Sequence, residues 1–326
     1  MKHIYNPQGN TAGPHIREVW TSQDIMKHVL IALIFPTIAA IYYFGLSTLV
    51  MISFSIGMCI LLEVLSCNIL KLKGDIKDYS AIVTGWLLAL TLPISAPLWT
   101  LLVGDFIAIV IVKQLSGGLG RNWLNPAVTA RVVLKLFFSP WITNWVTPQP
   151  DVMATATPLA SLGHFNREIS SSIPEWWKLF LGVDLGGPIG ETCKLAVLLS
   201  FLYLVSKKVI HLWIPLFTVG TFFVTVLLYS GMNFQFAIAH VFSGALIFAA
   251  VFMVTDYTTT PITDKGKYLF SMYCGILCAL LRIILDLPGG IGIAILVMNL
   301  FTPLIDKCSL HKIYGIDGNP KVNYKN

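Results

Sequence analysis

Residues 48–70 read TLVMISFSIGMCILLEVLSCNIL, a continuous run in which Glu63 is the single formal charge. A bilayer core about 30 Å thick is crossed by about twenty helical residues. In lipid every backbone polar group must find a partner within the protein, which a helix achieves inside one segment. The stretch is therefore a membrane span, and the chain around it repeats the pattern. Of its residues 56% are hydrophobic and 12% charged, about half the charge of an ordinary soluble domain. Mean hydropathy is +0.75.

Working outward, about ten spans are expected, at 25–44, 48–70, 79–92, 97–114, 125–139, 190–206, 212–229, 234–254, 269–286 and 290–305. The first follows a polar stretch and lacks a small-residue cleavage site, so it is read as a span and not a removed signal. Lys2, Arg17 and Lys27 flank the first span on its N-terminal side, and Lys71, Lys73 and Lys77, then Lys113 and Arg121, Lys207 and Lys208, Lys265 and Lys267, and Lys307 and Lys312 continue the alternation. The intervening short loops 45–47, 93–96, 230–233 and 287–289 hold no Lys or Arg. The positive-inside rule then puts both termini in the cytoplasm. The same asymmetry accounts for the net charge of +6, and nucleic acid is not needed to explain it. The expected layout is a cytoplasmic segment 1–24, a membrane half 25–139, an extracytoplasmic loop 140–189, a second membrane half 190–305 and a cytoplasmic tail 306–326.

The two halves share short sequences. Ser80-Ala-Ile-Val-Thr84-Gly85-Trp-Leu resembles Ala239-His-Val-Phe-Ser243-Gly244-Ala-Leu, and Gly117-Gly118-Leu-Gly120 resembles Gly289-Gly290-Ile-Gly292. With five spans in each half, an odd number, the second half is inverted relative to the first, an arrangement that builds central sites in transporters. Prolines at 93, 97 and 261 mark interruptions at the ends of spans three and eight. The six cysteines avoid the long loop. Cys274 and Cys278 share a helix face but read as small apolar packing residues, and no metal site is expected.

Four constellations carry chemistry. In Asp151-Val-Met-Ala-Thr155-Ala156-Thr157-Pro158-Leu-Ala, Thr157 offers an alcohol oxygen, and Pro158 biases it toward extended backbone. On spacing alone a plain Thr-Pro turn is an equal account. In Gly117-Gly118-Leu-Gly120-Arg-Asn122-Trp-Leu-Asn125-Pro126-Ala127, Asn125 caps a helix, Pro126 takes its first position, and the helix start faces a flavin or an anion with its positive end. Asp256 lies in the Thr255–Pro261 segment. Glu63 and Asp105 are charges inside spans and so candidates for an ion path. Arg131 and Lys135 lie one turn apart in span five. Arg282 and Asp286 are an expected i, i+4 pair, and His240 is expected to be a hydrogen-bonded packing residue.

Taken together, the Gly13-Pro14-His15-Ile16 segment, GGLGxNxxNPA, TATPLA and TDxxTxP, in that order, resemble the D subunit of the bacterial Rnf complex, an ion-translocating electron-transport assembly. The chain is similar, more distantly, to the B subunit of the sodium-translocating NADH:quinone reductase, whose N-terminal region is longer. Ala156 stands where the family often has glycine, and Tyr257 where it often has proline. Neither change removes a reacting group.

The resemblance implies an all-α integral membrane fold of about ten helices in two inverted five-helix repeats, similar to urea transporters. It implies FMN joined to Thr157 by a phosphoester, with Thr155 in reserve, and a second, non-covalent riboflavin. Gly117, Gly118, Gly120, Asn122, Asn125, Asp256, Gly289, Gly290 and Gly292 are the remaining candidate cofactor-binding residues. Partners implied are the other membrane and peripheral subunits, a flavin transferase, and Na⁺ or H⁺. Two other readings compete: a quinone-reducing subunit of the related complex and a stand-alone transporter of the same fold.

Overall fold

A computed structural model describes residues 21–71, 78–145, 175–183, 186–287 and 289–309. All regular structure among the described residues is helical. Helix α1 (Ser22–Phe44) starts at Thr21, whose hydroxyl accepts from the Asp24 amide at 3.3 Å while the Asp24 carboxylate accepts from the Thr21 amide. This reciprocal cap fixes the first turn. It turns at Gly45 into α2 (Ser47–Leu70). Helix α3 (Ser80–Leu90) has only 11 residues. Helix α4 (Leu98–Phe106) runs on into a π-helical stretch, Ile107–Gln114. Helix α5 (Pro126–Phe137) is capped by the Asn125 side chain, which accepts from the Val128 amide at 3.1 Å. Two short helices, α6 (Ser139–Ile142) and α7 (Trp176–Leu181), flank the long loop.

The second half begins with α8 (Lys194–Ser206) and α9 (Trp213–Tyr229). Next come α10 (Phe234–Phe242) and α11 (Leu246–Phe252), which meet at a bend of 56°. Helices α12 (Asp264–Ile283) and α13 (Gly290–Ser309) complete it. By length and composition α1, α2, α12 and α13 can each cross a membrane, and the bent α10–α11 pair can do so as one broken span. Helices α3, α8 and α9 are apolar but shorter. Large side chains such as Ile38, Ile69, Phe137, Leu228 and Leu300 stay exposed around the outside, as a lipid-facing surface requires. The chain is an integral, multi-pass membrane protein.

The expected spans need three revisions. Span eight is not one helix, because the chain breaks at Ser243–Ala245 with Gly244 at φ 71°. Span six starts later than 190, because residues 186–193 are non-helical yet mostly buried. Span three ends early, and that segment completes it. The Gly190 amide donates to the Leu90 carbonyl at 2.8 Å and the Ile189 amide to the Leu92 carbonyl at 3.2 Å. A Cβ at position 190 would sit 2.7 Å from Leu90 Cβ, so only glycine permits this approach.

The short sequence matches between the halves also serve different ends. Gly85 lies in an unbroken helix against the Ser55 carbonyl, whereas its partner Gly244 forms the break. Gly117, Gly118 and Gly120 have φ of 104°, 95° and 81° in a loop, whereas Gly290 and Gly292 lie in the first turn of α13.

Packing nevertheless recurs. In the first half α2 packs on α3 and on the α4–π helix, and α5 packs on both of those. In the second half α9 packs on α10–α11 and on α12, and α13 packs on both. The halves join through α1 with α8 and through α5 with α13. At the first of these seams Ser200 donates to the Ala32 carbonyl at 2.8 Å. One face gathers Lys71, Lys207, Lys208, Lys265 and Lys267. There His211 lies 3.7 Å from Asp264, and the Ile262 amide donates to Asp306 at 2.9 Å. It is termed the basic face below.

Candidate functional site

The cap that begins α5 and the loop after α11 meet near the basic face. Asn125 Nδ2 donates to Asp256 Oδ2 at 2.9 Å, across 131 residues of sequence. The Thr258 amide and hydroxyl donate to the same carboxylate at 3.1 and 2.9 Å, and the Thr259 hydroxyl at 3.2 Å. Burial pushes the Asp256 carboxyl above its ordinary value, and these donors hold it back.

Asn122 and Asn125 border a cavity. Asp256 and Thr258 also line it, and Met26, Val29, Leu87 and Phe252 give it apolar walls. Asn122 Nδ2 is used on the Leu124 carbonyl at 3.1 Å, whereas its Oδ1 is buried without a partner. Such an orphan acceptor is rare in a folded interior. An apolar slot with a few fixed polar groups suits a planar heteroaromatic ligand. Sequence reasoning named Asn122, Asn125 and Asp256 separately, and the fold brings them together. Gly117–Gly120 lie in the loop leading to Asn122, with Leu119 in the cavity wall.

Glu63 and Asp105 fall on the seam between α2 and the α4–π helix. Glu63 accepts from Lys113 Nζ, and from Gln114 Nε2 at 3.0 Å. Lys113 also donates to the Ser80 hydroxyl. Asp105 Oδ1 accepts from Ser55 at 2.7 Å and from the Cys59 thiol at 3.2 Å, and its Oδ2 is buried without a partner. Ser55, Cys59 and Glu63 recur every four residues on one face of α2. Asp105 from α4 and Lys113 and Gln114 from the π-helical stretch lie opposite them.

A second polar interior lies toward the opposite face. Arg131 and Lys135 come from α5, Glu191 and Lys194 from the buried 186–194 segment, and His240, Ser243 and Arg282 from the break in α10–α11 and from α12. Arg282 Nη1 donates to the carbonyls of His240 at 2.8 Å and Ser243 at 3.3 Å. It therefore caps the broken end of α10. His240, expected to be satisfied, has neither ring nitrogen bonded and packs on Phe236 with ring centroids 4.4 Å apart. Glu191 and Lys194 were not singled out in the sequence. The signal available was an opposite-charge i, i+3 pair at the start of an apolar run.

Gly289, Gly290 and Gly292 lie beside this interior. A Cβ on Gly289 would come 2.6 Å from Lys135 Nζ. One on Gly290 would meet Leu281 Cβ at 3.0 Å, and one on Gly292 would meet Val132 at 3.0 Å. The last two are thus close-packing positions between helices, which makes Gly290→Val a test of packing before it tests any ligand. Cys274 and Cys278 are buried and free, and no cluster of three or more metal-ligating side chains occurs among the described residues. Thr157 and Thr155, in the loop between α6 and α7, lie outside the described residues.

Residues 10–315 match the NQR2, RnfD, RnfE family. The D subunit of the Na⁺-translocating ferredoxin:NAD⁺ oxidoreductase complex of Acetobacterium woodii is 37% identical, over 94% of this chain and 95% of that one. The D subunit of the proton-translocating ferredoxin:NAD⁺ oxidoreductase complex of Clostridium ljungdahlii is 33% identical, over 91% and 93%. The D subunit of the ion-translocating oxidoreductase complex of Stutzerimonas stutzeri is also 33% identical, over 91% and 93%.

Proposed function

Because the chain belongs to the NQR2, RnfD, RnfE family and is a subunit of an ion-translocating oxidoreductase, we propose that it is the flavin-carrying electron-transfer subunit of an Rnf-type complex. The observation that carries the reading is the near full-length match to relatives named as D subunits of ferredoxin:NAD⁺ oxidoreductases. The relatives' names divide between Na⁺ and H⁺, so the ion is left as one or the other.

The covalent group is FMN, esterified through its phosphate to Thr157 by a flavin transferase, outside the inner membrane. When bound, it supplies reversible electron transfer between a donor and an acceptor on partner subunits. The second flavin, riboflavin, takes the cavity bordered by Asn122, Asn125 and Asp256. The orphan Asn122 Oδ1 offers an acceptor to a ring N–H, and the bond between Asn125 and Asp256 fixes the polar part of the lining. On the ion path Asp105 is the stronger of the two candidates, since Glu63 is already neutralised by Lys113.

The architecture proposed is two inverted five-helix repeats with both termini in the cytoplasm. Its support is the recurrence of helix pairings between the halves and the two joining seams, α1 with α8 and α5 with α13.

The test is in-gel flavin fluorescence of the denatured protein, with mass mapping of the labelled peptide. Thr157→Ala removes the fluorescent band and leaves the chain folded. An undiminished band in that variant overturns the assignment, and transfer of the label to the Thr155 peptide moves it by two residues. A colourless wild-type protein, purified from cells that contain the transferase, favours the stand-alone transporter.

A further inference from the structure

Eleven buried side-chain nitrogen and oxygen atoms among the described residues lack a hydrogen-bond partner, and six of them converge on one place. They are Arg131 Nη1, Arg282 Nε and Nη2, both ring nitrogens of His240, and Ser243 Oγ. Arg282 is 5% exposed, His240 6% and Ser243 1%. Arg131, Lys135, Lys194 and Arg282 are the cations around Glu191, and Lys194 Nζ is already bonded to the Glu191 backbone carbonyl. Four cations thus face one buried carboxylate, and they remain in excess even if exposed Asp286 is counted against them. A buried excess of charge with unmet donors is costly unless a counter-charge completes it.

A cavity opens beside them, between Gly186–Lys194 and the break at Phe242–Gly244. The first turn of the 20-residue helix α13 starts in the same region, with Gly289 against Lys135 and Gly290 against Arg282. Two aromatic rings hold the guanidinium groups: Trp145 lies 5.9 Å from Arg131, and Phe222 lies 4.9 Å from Arg282. The donors are therefore fixed in place before any ligand arrives.

We propose that the Arg131, Lys135, Lys194 and Arg282 cluster is a binding site for a tetrahedral oxyanion of the phosphoryl class. Guanidinium groups present paired N–H donors to such an oxyanion, and Lys135 and Lys194 add point charges. His240 and Ser243 supply the neutral donors. The site stands on the described residues alone. Only one possible source of the anion, the phosphoester of an attached flavin, rests on the function proposed above. The other sources are an anionic phospholipid headgroup and free phosphate.

The full chain purified in detergent separates these sources. It is prepared with and without co-expression of a flavin transferase, and its thermal midpoint is followed against sodium phosphate, with sodium chloride at matched ionic strength as control. Phosphate should raise the midpoint of the flavin-free chain saturably, and chloride should not. Lys135→Gln and Arg282→Gln should each weaken the apparent affinity at least about tenfold, and exposed Lys207→Gln should leave it unchanged. Lys135→Gln keeps the test decisive if Arg282→Gln does not fold, since Arg282 also caps α10.

Loss of the phosphate effect in the flavin-loaded chain identifies the flavin phosphoester as occupant. Persistence of the effect identifies a separate oxyanion, and nanodiscs of phosphatidylglycerol against phosphatidylcholine show whether it is a lipid headgroup. A flavin-free chain indifferent to both phosphate and phosphatidylglycerol overturns the site, as does an effect unchanged in Lys135→Gln. Failure of the flavin reading registers separately, as a missing fluorescent band while phosphate binding persists.

Discussion

The ion pair between Glu63 and Lys113 should be a stability element that removal of one partner exposes and removal of both hides. The two side chains are 5% and 3% exposed. At an ordinary N–O contact of about 3 Å and an effective dielectric of about 20, their attraction is about 5–6 kcal/mol. Stranding one member of such a buried pair costs about 3–5 kcal/mol, whereas replacing both with neutral groups of similar size is often nearly neutral. Glu63→Gln keeps the volume and can still bond Gln114. Lys113→Met keeps the chain length.

Each single variant should lower the thermal midpoint in detergent by about 6–10 °C, taking about 2 °C per kcal/mol for a chain of this size. The double variant should recover at least half of that loss. A double variant as unstable as the worse single variant, or a Glu63→Gln variant that melts like the wild type, refutes this role for the pair. Ion-coupled electron transfer by the double variant in the assembled complex assigns Glu63 to the framework. Its loss in a stably folded double variant returns Glu63 to the ion path.

Three further outcomes are expected. In a background without the native cysteines, a cysteine at Phe165 should label from outside and one at Lys207 should not; the reverse pattern overturns the orientation. Gly190→Ala should destabilise the protein by about 1–3 kcal/mol through overpacking against Leu90, visible as a lower midpoint, and a wild-type midpoint would show that the 186–193 segment yields freely. Asp105→Asn should leave the fold intact, because Ser55 and Cys59 can still donate to the amide oxygen, while abolishing ion movement by the complex; unchanged ion movement removes Asp105 from the path.

Hydropathy located the long spans because a lipid-facing helix must be apolar along its whole length. Span two, expected at 48–70, is α2 at Ser47–Leu70, and the last span starts at residue 290 as expected. The breaks were not legible. Ser243-Gly244-Ala245 is small and nearly neutral in hydropathy, so a sliding average passes over the bend between α10 and α11. The end of α3 was equally hidden, since the Leu90 carbonyl is met by Gly190 and the Leu92 carbonyl just beyond the helix by Ile189, contacts that no local pattern encodes. Asn125 was legible as a cap because capping is a local device. Its bond to Asp256 was not, because it spans the two halves. Arg282 shows the same limit: its bonds to the carbonyls of His240 and Ser243 reach 42 and 39 residues along the chain, and no local pattern announces them.

The dependence of α3 on Ile189 and Gly190 also sets an order of events during synthesis. Leu90 leaves the ribosome about a hundred residues before its partner. At about 5–20 residues per second, the end of α3 waits about 5–20 s inside the membrane before its carbonyl groups can be met. During that interval the nascent first half must be sheltered by the insertion machinery or by other chains of the complex. A message truncated after residue 145 should yield a product that is inserted but degraded quickly.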